Sequence, residues 1–288
     1  MRHAIRTGGL TILAAAAIQA ATPQGATAFE PKMESDLLNP TLWTQSSVEF
    51  KANSLAMYKL AGIMLDEAVA DTSWTAAPAE QTGGFEGKPP AVILDVDETV
   101  LDNSAYEAWL VRAGESYSSK TWVPFVRSET SLPVPGSLAF IKLAVDKGVK
   151  VFYVTNRKAP QEQATRNNLK ALGYPIDESE DTVLMRGESE AWASSKKGTR
   201  RAHIAETYRI AMIVGDNFGD FVDGYKGSLA ERQALMTKHL DMWGSRWIVI
   251  ANPMYGSWES APFGHDWKLP GDKRRQMKYD AMAVWAGP

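Results

Sequence analysis

The chain has 288 residues, of which 44% are hydrophobic and 23% are charged, and its formal net charge is −3. This length and composition suit a folded core, exclude disordered and fibrous classes, and allow one large domain or one domain with a cap. The absence of cysteine excludes disulfides, thiolate catalysis, thiolate metal sites and a lipid-modified amino-terminal cysteine. A weakly negative chain without a Lys/Arg-rich run also argues against a nucleic-acid polymer as partner.

The first 28 residues have the three regions of a secretory signal. Arg2 and Arg6 precede an apolar run over residues 10–21, and small residues follow up to Ala28. This run is too short to span a bilayer comfortably, so we expect no membrane anchor. The sequence predicts cleavage near Ala28, a mature chain with a net charge of −5, and a periplasmic or secreted location.

Residues 29–90 are predicted to form a helical extension and a linker. Apolar residues recur at helical spacing over residues 46–70, where Ser46 and Glu49 fit a capping box. We expect this helix to pack on the main domain. Its periodic apolar residues are Val48, Leu55, Met57, Leu60, Met64 and Val69. Residues 71–90 are rich in Ala, Gly, Pro and Thr without a period, which indicates a loop.

Residues 91–288 alternate between strand and helix patterns. The β-prone segments are 91–94, 149–155, 182–185, 210–214 and 247–250, and the clearest helical patterns between them are 160–172, closed by Gly173, and 200–207. Such alternation predicts an α/β fold with a doubly wound parallel sheet.

The segment 103–135, inserted between the first two strands, is rich in aromatic residues. They are Tyr106, Trp109, Tyr117, Trp122 and Phe125. We interpret the insertion as a small, mostly helical cap over the strand ends. An ordinary helical layer with aromatic packing explains the same residues.

Two carboxylates, Asp95 and Asp97, follow the first apolar strand directly. The carboxyl ends of parallel strands are where open α/β sheets keep their active sites, and buried acids need a cation, a base or a chemical role. The pair alone fits a site and a solvated acidic turn equally well.

Three further elements carry reactive residues in a fixed order. They are Thr155-Asn156-Arg157, Lys196-Lys197, and the segment Gly215-Asp216-Asn217-Phe218-Gly219-Asp220. With Asp95 and Asp97, this order resembles that of the phosphatases of the haloacid dehalogenase (HAD) superfamily. The resemblance implies a HAD-like phosphatase domain over residues 91–288.

The resemblance narrows to the bacterial class C nonspecific acid phosphatases, a family that includes lipoprotein 5'-nucleotidases. It rests on four segments, which start at Asp95 (DVDETVLDNS), Val151 (VFYVTNR), Gly215 (GDNFGDF) and Asn252 (NPMYGSWE), and it extends from about Leu42 to the carboxyl terminus. Many members are lipidated on cysteine, which this chain lacks, so it is similar to the secreted or periplasmic members.

The resemblance and the chemistry together imply roles for the acidic residues. Asp95 suits nucleophilic attack on phosphorus, and Asp97, its side chain left free, suits a general acid that later acts as base. Mg²⁺ would neutralise the cluster, bound by Asp95, Asp216 and the backbone carbonyl of Asp97. Asp220 is expected to support this metal or to position Lys197.

Thr155 and Lys197 are the remaining catalytic candidates, and Asn156, Trp122 and Tyr255 are expected to bind the substrate. Thr155 and Lys197 are expected to hold the phosphoryl oxygens, and Lys197 is preferred to Lys196 because the family's lysine precedes an arginine by three, as Lys197 precedes Arg200. Asn156 is placed among the substrate-binding residues. Tyr255 and a cap aromatic such as Trp122 are expected to stack on a flat leaving group, although packing in the core or a turn explains Tyr255 equally well.

The sequence therefore predicts a secreted, Mg²⁺-dependent acid phosphatase that hydrolyses small phosphorylated substrates, such as 5'-nucleotides and aryl phosphates, through an aspartyl-phosphate. The alternatives are a non-catalytic periplasmic ligand-binding protein on a HAD fold and another HAD hydrolase. A homo-oligomer is compatible with the sequence.

Overall fold

A computed structural model of the protein describes residues 35–287. The predicted signal sequence 1–28 and its cleavage point near Ala28 lie outside these residues. The strands are β1 (Pro90–Leu94), β2 (Leu101–Asp102), β3 (Leu132–Pro133), β4 (Lys150–Lys158), β5 (Val183–Arg186), β6 (Arg209–Gly215) and β7 (Trp247–Val249). The helices are α1 (Leu38–Ser46), α2 (Val48–Ala70), α3 (Ser104–Ala113), α4 (Ser119–Ser128), α5 (Ser137–Asp146), α6 (Glu162–Ala171), α7 (Gly198–Thr207), α8 (Phe218–Phe221), α9 (Leu229–Lys238), α10 (Ser257–Ser260) and α11 (Gly271–Asp280).

Five strands form one parallel sheet in the order β5-β4-β1-β6-β7. All five correspond to the predicted segments, and the predicted α/β fold with a doubly wound parallel sheet is confirmed. The central strand β1 is buried on both faces, which explains its continuous apolar run. From β1 the chain crosses to β4 on one side and later to β6 on the other. The order therefore reverses beside β1, where α/β folds open a crevice for ligands.

The amino-terminal extension is part of the main core. Tyr58 and Leu65 of α2 pack in the same hydrophobic cluster as Val92 and Leu94 of β1. The Tyr58 hydroxyl donates to the Thr99 carbonyl at 2.6 Å, just beyond the acid pair. The extension thus supports the segment that carries Asp95 and Asp97.

The predicted start and apolar residues of α2 are partly wrong. Ser46 ends α1, a helix that the sequence pattern missed, and Ser47 caps α2 by accepting from the Phe50 amide at 3.0 Å. Serine is a preferred N-cap residue at either position, so only the backbone angles decide which of the two adjacent serines caps the helix. Val48 and Leu55 are exposed, because the inward face of α2 carries Phe50, Ser54, Tyr58, Ala61, Leu65 and Ala68.

The insertion between β1 and β4 contains α3 and α4 and returns through β3, which pairs antiparallel with β2. Its own small apolar cluster includes Tyr106, Leu110 and Trp122. This agrees with a small, mostly helical cap. Among residues 35–287 there is no helix with the length and apolar character needed to cross a membrane.

Replacing Tyr58 with Phe tests the link between α2 and the acid-pair segment. The change leaves the Thr99 carbonyl without its buried donor, and we expect the free energy of unfolding to fall by about 1 to 3 kcal/mol. Urea denaturation measures this loss. The control Tyr279→Phe alters an exposed ring and should change stability by less than about 0.5 kcal/mol. Equal effects of the two substitutions would contradict the link.

Candidate active site

The predicted site residues converge at the carboxyl edge of the sheet. Asp95 follows β1, Thr155 lies near the end of β4, and Asp216 follows β6. These three strands are neighbours in the sheet, so their ends meet. Lys197 immediately precedes α7, and Asp220 lies in the short helix α8 that follows Asp216.

Lys197 lies between two carboxylates. Its Nζ forms a close ion pair with Asp95 and lies 2.7 Å from Asp220, and the lysine is only 2% exposed. Burial alone would lower the pKa of Lys197, but Asp220 and Asp95 outweigh burial and raise it. Lys196 is exposed, and its hydrogen bonds are made by its backbone, whose amide donates to the Ser194 hydroxyl and whose carbonyl accepts from Arg200. The geometry therefore favours Lys197 as the site lysine.

The carboxylates of Asp95, Asp216 and Asp220 each offer an oxygen within 4.8 Å of the others. Burial raises the pKa of Asp95 to about 7 against the opposing effect of Lys197, and burial with Asp220 and Asp95 raises that of Asp216. One ammonium group leaves two of the three negative charges unbalanced. A divalent cation with oxygen ligands fits this donor set, and Mg²⁺ is such a cation.

Asp97 lies apart from this acidic cluster. Its Oδ1 accepts from Arg157 Nε at 2.9 Å and from Asn103 Nδ2 at 2.8 Å, and Arg157 Nη2 is also 2.9 Å away. Its Oδ2 faces the Thr155 hydroxyl at 3.5 Å. A buried guanidinium and an amide therefore hold one oxygen of Asp97, which the sequence analysis did not anticipate.

Glu98, the residue after Asp97, is a site residue that the sequence reasoning missed. Its backbone φ of +56° is rare for a residue other than Gly, Asn or Asp. Its buried carboxylate accepts from the Asn103 amide at 2.9 Å and from the Tyr255 hydroxyl in a close contact. Burial and the charges of Asp97 and Asp216 raise the pKa of Glu98 well above its usual value. Glu98 thus joins the acid-pair segment to the loop after β7.

Arg200, the arginine three residues after Lys197, links α7 to β4. Its guanidinium donates to the Thr155 carbonyl in a close contact and to Asn156 Oδ1 at 2.8 Å. These bonds fix the start of α7 to the end of β4. Asn156 is exposed at the edge of the site. Its side-chain oxygen is already occupied by the bond from Arg200.

The aromatic candidates have different surroundings. Trp122 is 9% exposed and packs on Tyr106 and Phe125, with the Arg157 guanidinium 5.5 Å from its ring centroid. Little of this ring remains open for stacking on a ligand. Tyr255 is half-buried and is tied to Glu98.

Tyr117 is an exposed aromatic residue of the cap, where its ring packs edge-on against Tyr106 and its centroid lies 6.1 Å from that of Trp122. The sequence analysis names Tyr117 only as one of five aromatic residues in the predicted cap.

Comparisons with known proteins agree with this geometry. The family model of the HAD superfamily, subfamily IIIB (acid phosphatase), matches residues 14–258. The chain is 30% identical to the class C acid phosphatase from Bacillus anthracis with tungstate bound, with a TM-score of 0.75 over 86% of this chain and 97% of that one. A second structure of the Bacillus anthracis class C acid phosphatase gives 31% identity and a TM-score of 0.74 over the same shares.

The curated relatives are more distant. The chain is 23% identical to the stem 28 kDa glycoprotein of Glycine max over 167 residues, which are 57% of this chain. The match spans 58% of the length of that relative.

Replacing Lys197 with Met tests its role among the carboxylates. Breaking a buried ion pair costs about 3 to 5 kcal/mol, and we expect a loss of that order in urea denaturation with EDTA present. Burial raises the pKa of Asp95 from 3.8 to about 7, so the cost of burying its charged form grows as the pH rises through this range. Lys197 lowers the pKa of Asp95, so we expect the loss to be greater at pH 8 than at pH 5.

Lys196→Met is the matched control, because Lys196 is the exposed neighbour of the same type. Its effect should stay within about 0.5 kcal/mol at both pH values. A loss for Lys197→Met that is the same at pH 5 and pH 8 would contradict the role given to the ion cluster.

Proposed function

Because the chain belongs to the acid phosphatases of HAD subfamily IIIB, we propose that it is a Mg²⁺-dependent phosphomonoesterase acting through an aspartyl-phosphate. The observation that carries the proposal is the meeting of Asp95, Lys197 and the two acids Asp216 and Asp220 at one edge of the sheet. Acyl-phosphate chemistry requires a carboxylate nucleophile whose negative charge is balanced before a phosphate approaches.

Asp95 is the proposed nucleophile. One of its oxygens attacks phosphorus while the bond from phosphorus to the leaving oxygen breaks, which leaves the phosphoryl group on the carboxylate. The Lys197 ammonium beside Asp95 favours the approach of a phosphoryl group, because it offsets the repulsion between two anions. The Thr155 hydroxyl is the proposed donor to a phosphoryl oxygen.

Asp97 is the proposed proton carrier. It gives a proton to the leaving alkoxide and then takes one from the water that hydrolyses the aspartyl-phosphate. The first step needs a proton on Asp97, and the acid phosphatase family to which the chain belongs supports activity on the acidic side of neutrality.

Asp95 and Asp216 would hold Mg²⁺, with the backbone carbonyl of Asp97 as a third protein ligand. Mg²⁺ supplies a Lewis-acid contact to a phosphoryl oxygen and further charge neutralisation. Asp220 supports the same region from α8, where its Oδ2 accepts from the Asn217 amide at 2.9 Å while its Oδ1 pairs with Lys197. Gly215 makes room for Asp220, since a Cβ on Gly215 would lie 2.4 Å from that Oδ2.

The proposed substrates are small phosphomonoesters with flat leaving groups, such as 5'-nucleotides and aryl phosphates. Tyr255 and the exposed Tyr117 are the aromatic rings that we propose for the leaving group, in place of the covered Trp122. Stacking on a phenol ring depends on a flat partner more than on its hydrogen bonds, which favours broad specificity. We further propose export to the periplasm or outside the cell, which rests on the sequence of residues 1–28 alone.

A hydrolysis assay on the purified protein, lacking residues 1–28, tests the proposal. With an aryl phosphate and a panel of 5'-nucleotides, we expect turnover that EDTA abolishes and Mg²⁺ restores. Asp95→Asn should lower kcat at least about a thousandfold, because loss of a nucleophile removes the covalent path. The control Asp223→Asn changes an exposed acid in the same region and should keep near-normal activity.

Turnover that persists in EDTA would contradict the metal dependence, and an active Asp95→Asn variant would contradict the covalent mechanism. A protein that binds phosphomonoesters without hydrolysing any of them would favour the ligand-binding alternative. Release of halide from a haloacid, without phosphatase activity, would favour the other HAD hydrolases.

A further inference from the structure

Arg157 is a buried cation at the site, close to the proposed proton carrier. It lies near the end of β4, two residues after Thr155, and its side chain is only 1% exposed. A buried guanidinium is costly unless its N–H groups are paired. Its partners therefore indicate what the residue does.

Those partners accept three hydrogen bonds from the guanidinium, and one of its nitrogens makes a further ion-pair contact. Nε donates to Asp97 Oδ1 at 2.9 Å, and Nη2 lies 2.9 Å from the same oxygen and 3.2 Å from Asn103 Oδ1. Nη1 donates to the Thr165 hydroxyl of α6 at 3.1 Å. The Trp122 ring of the cap lies over the guanidinium. Arg157 is therefore committed to protein partners and has almost no surface for a substrate.

The two oxygens of Asp97 differ as a result. Oδ1 receives Arg157 and also Asn103 Nδ2 at 2.8 Å, so its lone pairs are occupied by charge-assisted hydrogen bonds. Among the described residues, Oδ2 has only the Thr155 hydroxyl, at the long distance of 3.5 Å. A proton on Asp97 consequently resides on Oδ2.

We infer that Arg157 is the positioning residue that fixes Oδ1 of Asp97 and thereby presents Oδ2 for proton transfer. The inference rests on the proposed function, since it takes Asp97 as the proton carrier. In the first step the leaving oxygen takes the Oδ2 proton as its bond to phosphorus breaks and the Asp95–phosphorus bond forms. In the second step Oδ2 takes a proton from the attacking water, and phosphate leaves Asp95.

This assignment predicts a dependence on the leaving group. A nitrophenolate is stable without a proton, whereas an alkoxide is not, so a misplaced Asp97 slows alkyl phosphates far more than nitrophenyl phosphate. The value of kcat/KM includes events only up to the cleavage of the ester bond. The ratio of kcat/KM for the alkyl ester to kcat/KM for the nitrophenyl ester therefore reports the first step alone. A general loss of structure would lower both values together.

The test compares Arg157→Met and Arg157→Lys with the unmodified protein on p-nitrophenyl phosphate and on a simple alkyl phosphate. General acids contribute about 10² to 10⁴ in rate, so we expect Arg157→Met to lower kcat/KM for the alkyl ester at least about tenfold more than for the aryl ester. Arg157→Lys, which keeps one charged donor, should retain part of the kcat/KM for the alkyl ester that Arg157→Met loses. Free guanidinium ion should raise the alkyl rate of Arg157→Met.

Arg209→Met is the matched control. Arg209 is as buried as Arg157 but starts β6, at the opposite edge of the sheet, where it donates to the carbonyls of Ala68 and Trp74. Its replacement should lower stability and alter the two substrates equally. Inhibition by tungstate, an oxyanion that binds a phosphoryl site, should be unchanged in Arg157→Met.

Equal losses on both esters, or no loss, would overturn the inference. Weaker tungstate inhibition in Arg157→Met would also overturn it, because Arg157 would then bind the phosphoryl group. Asp97→Asn separates the two levels of the argument. If Asp97→Asn loses the alkyl ester selectively and Arg157→Met does not, only the role of Arg157 fails; if Asp97→Asn shows no selectivity, the proposed role of Asp97 fails as well.

Discussion

The ion cluster of Lys197 with Asp95 and Asp220 is the constraint on which the site depends. Three carboxylates at one edge of a sheet repel each other, and burial makes their charged forms costly. One buried ammonium reduces this repulsion but leaves two charges, which is the condition that attracts a divalent cation. The same cluster therefore explains both the stability of the acidic edge and its readiness to accept a phosphate.

Lys197 keeps its place because the chain around it is anchored by arginines. Arg200 binds the end of β4, while Arg201 donates to the Asp220 carbonyl at 3.0 Å and to Glu80 at 2.9 Å. Glu80 belongs to the stretch before β1 that the sequence describes as a loop. That stretch is irregular, as predicted, but it stabilises the site through Arg201.

The parts of the structure that follow from periodicity and strand ends were predictable. Short apolar runs buried on both faces identified the five strands of the sheet, and parallel strands oblige their carboxyl ends to meet. The capping of α2 and its inward face were not predictable, because two adjacent serines and two overlapping apolar stripes fit the same sequence. The partners of Glu98 and Arg157 were hidden for another reason: they come from segments distant in sequence, and no local pattern encodes such contacts.

Asp95 and Asp97 are one residue apart in sequence, yet the fold gives them opposite surroundings. In a regular strand these two residues would point to the same side, but the chain bends at Val96 just beyond β1, and one carboxylate faces the cluster of Lys197 and acids while the other faces Arg157. An acid among other acids is suited to holding a metal and attacking phosphorus. An acid with one oxygen fixed by a guanidinium has its second oxygen oriented for a proton. Under the proposed function, this difference in environment would let two like residues divide nucleophilic and acid–base chemistry between them.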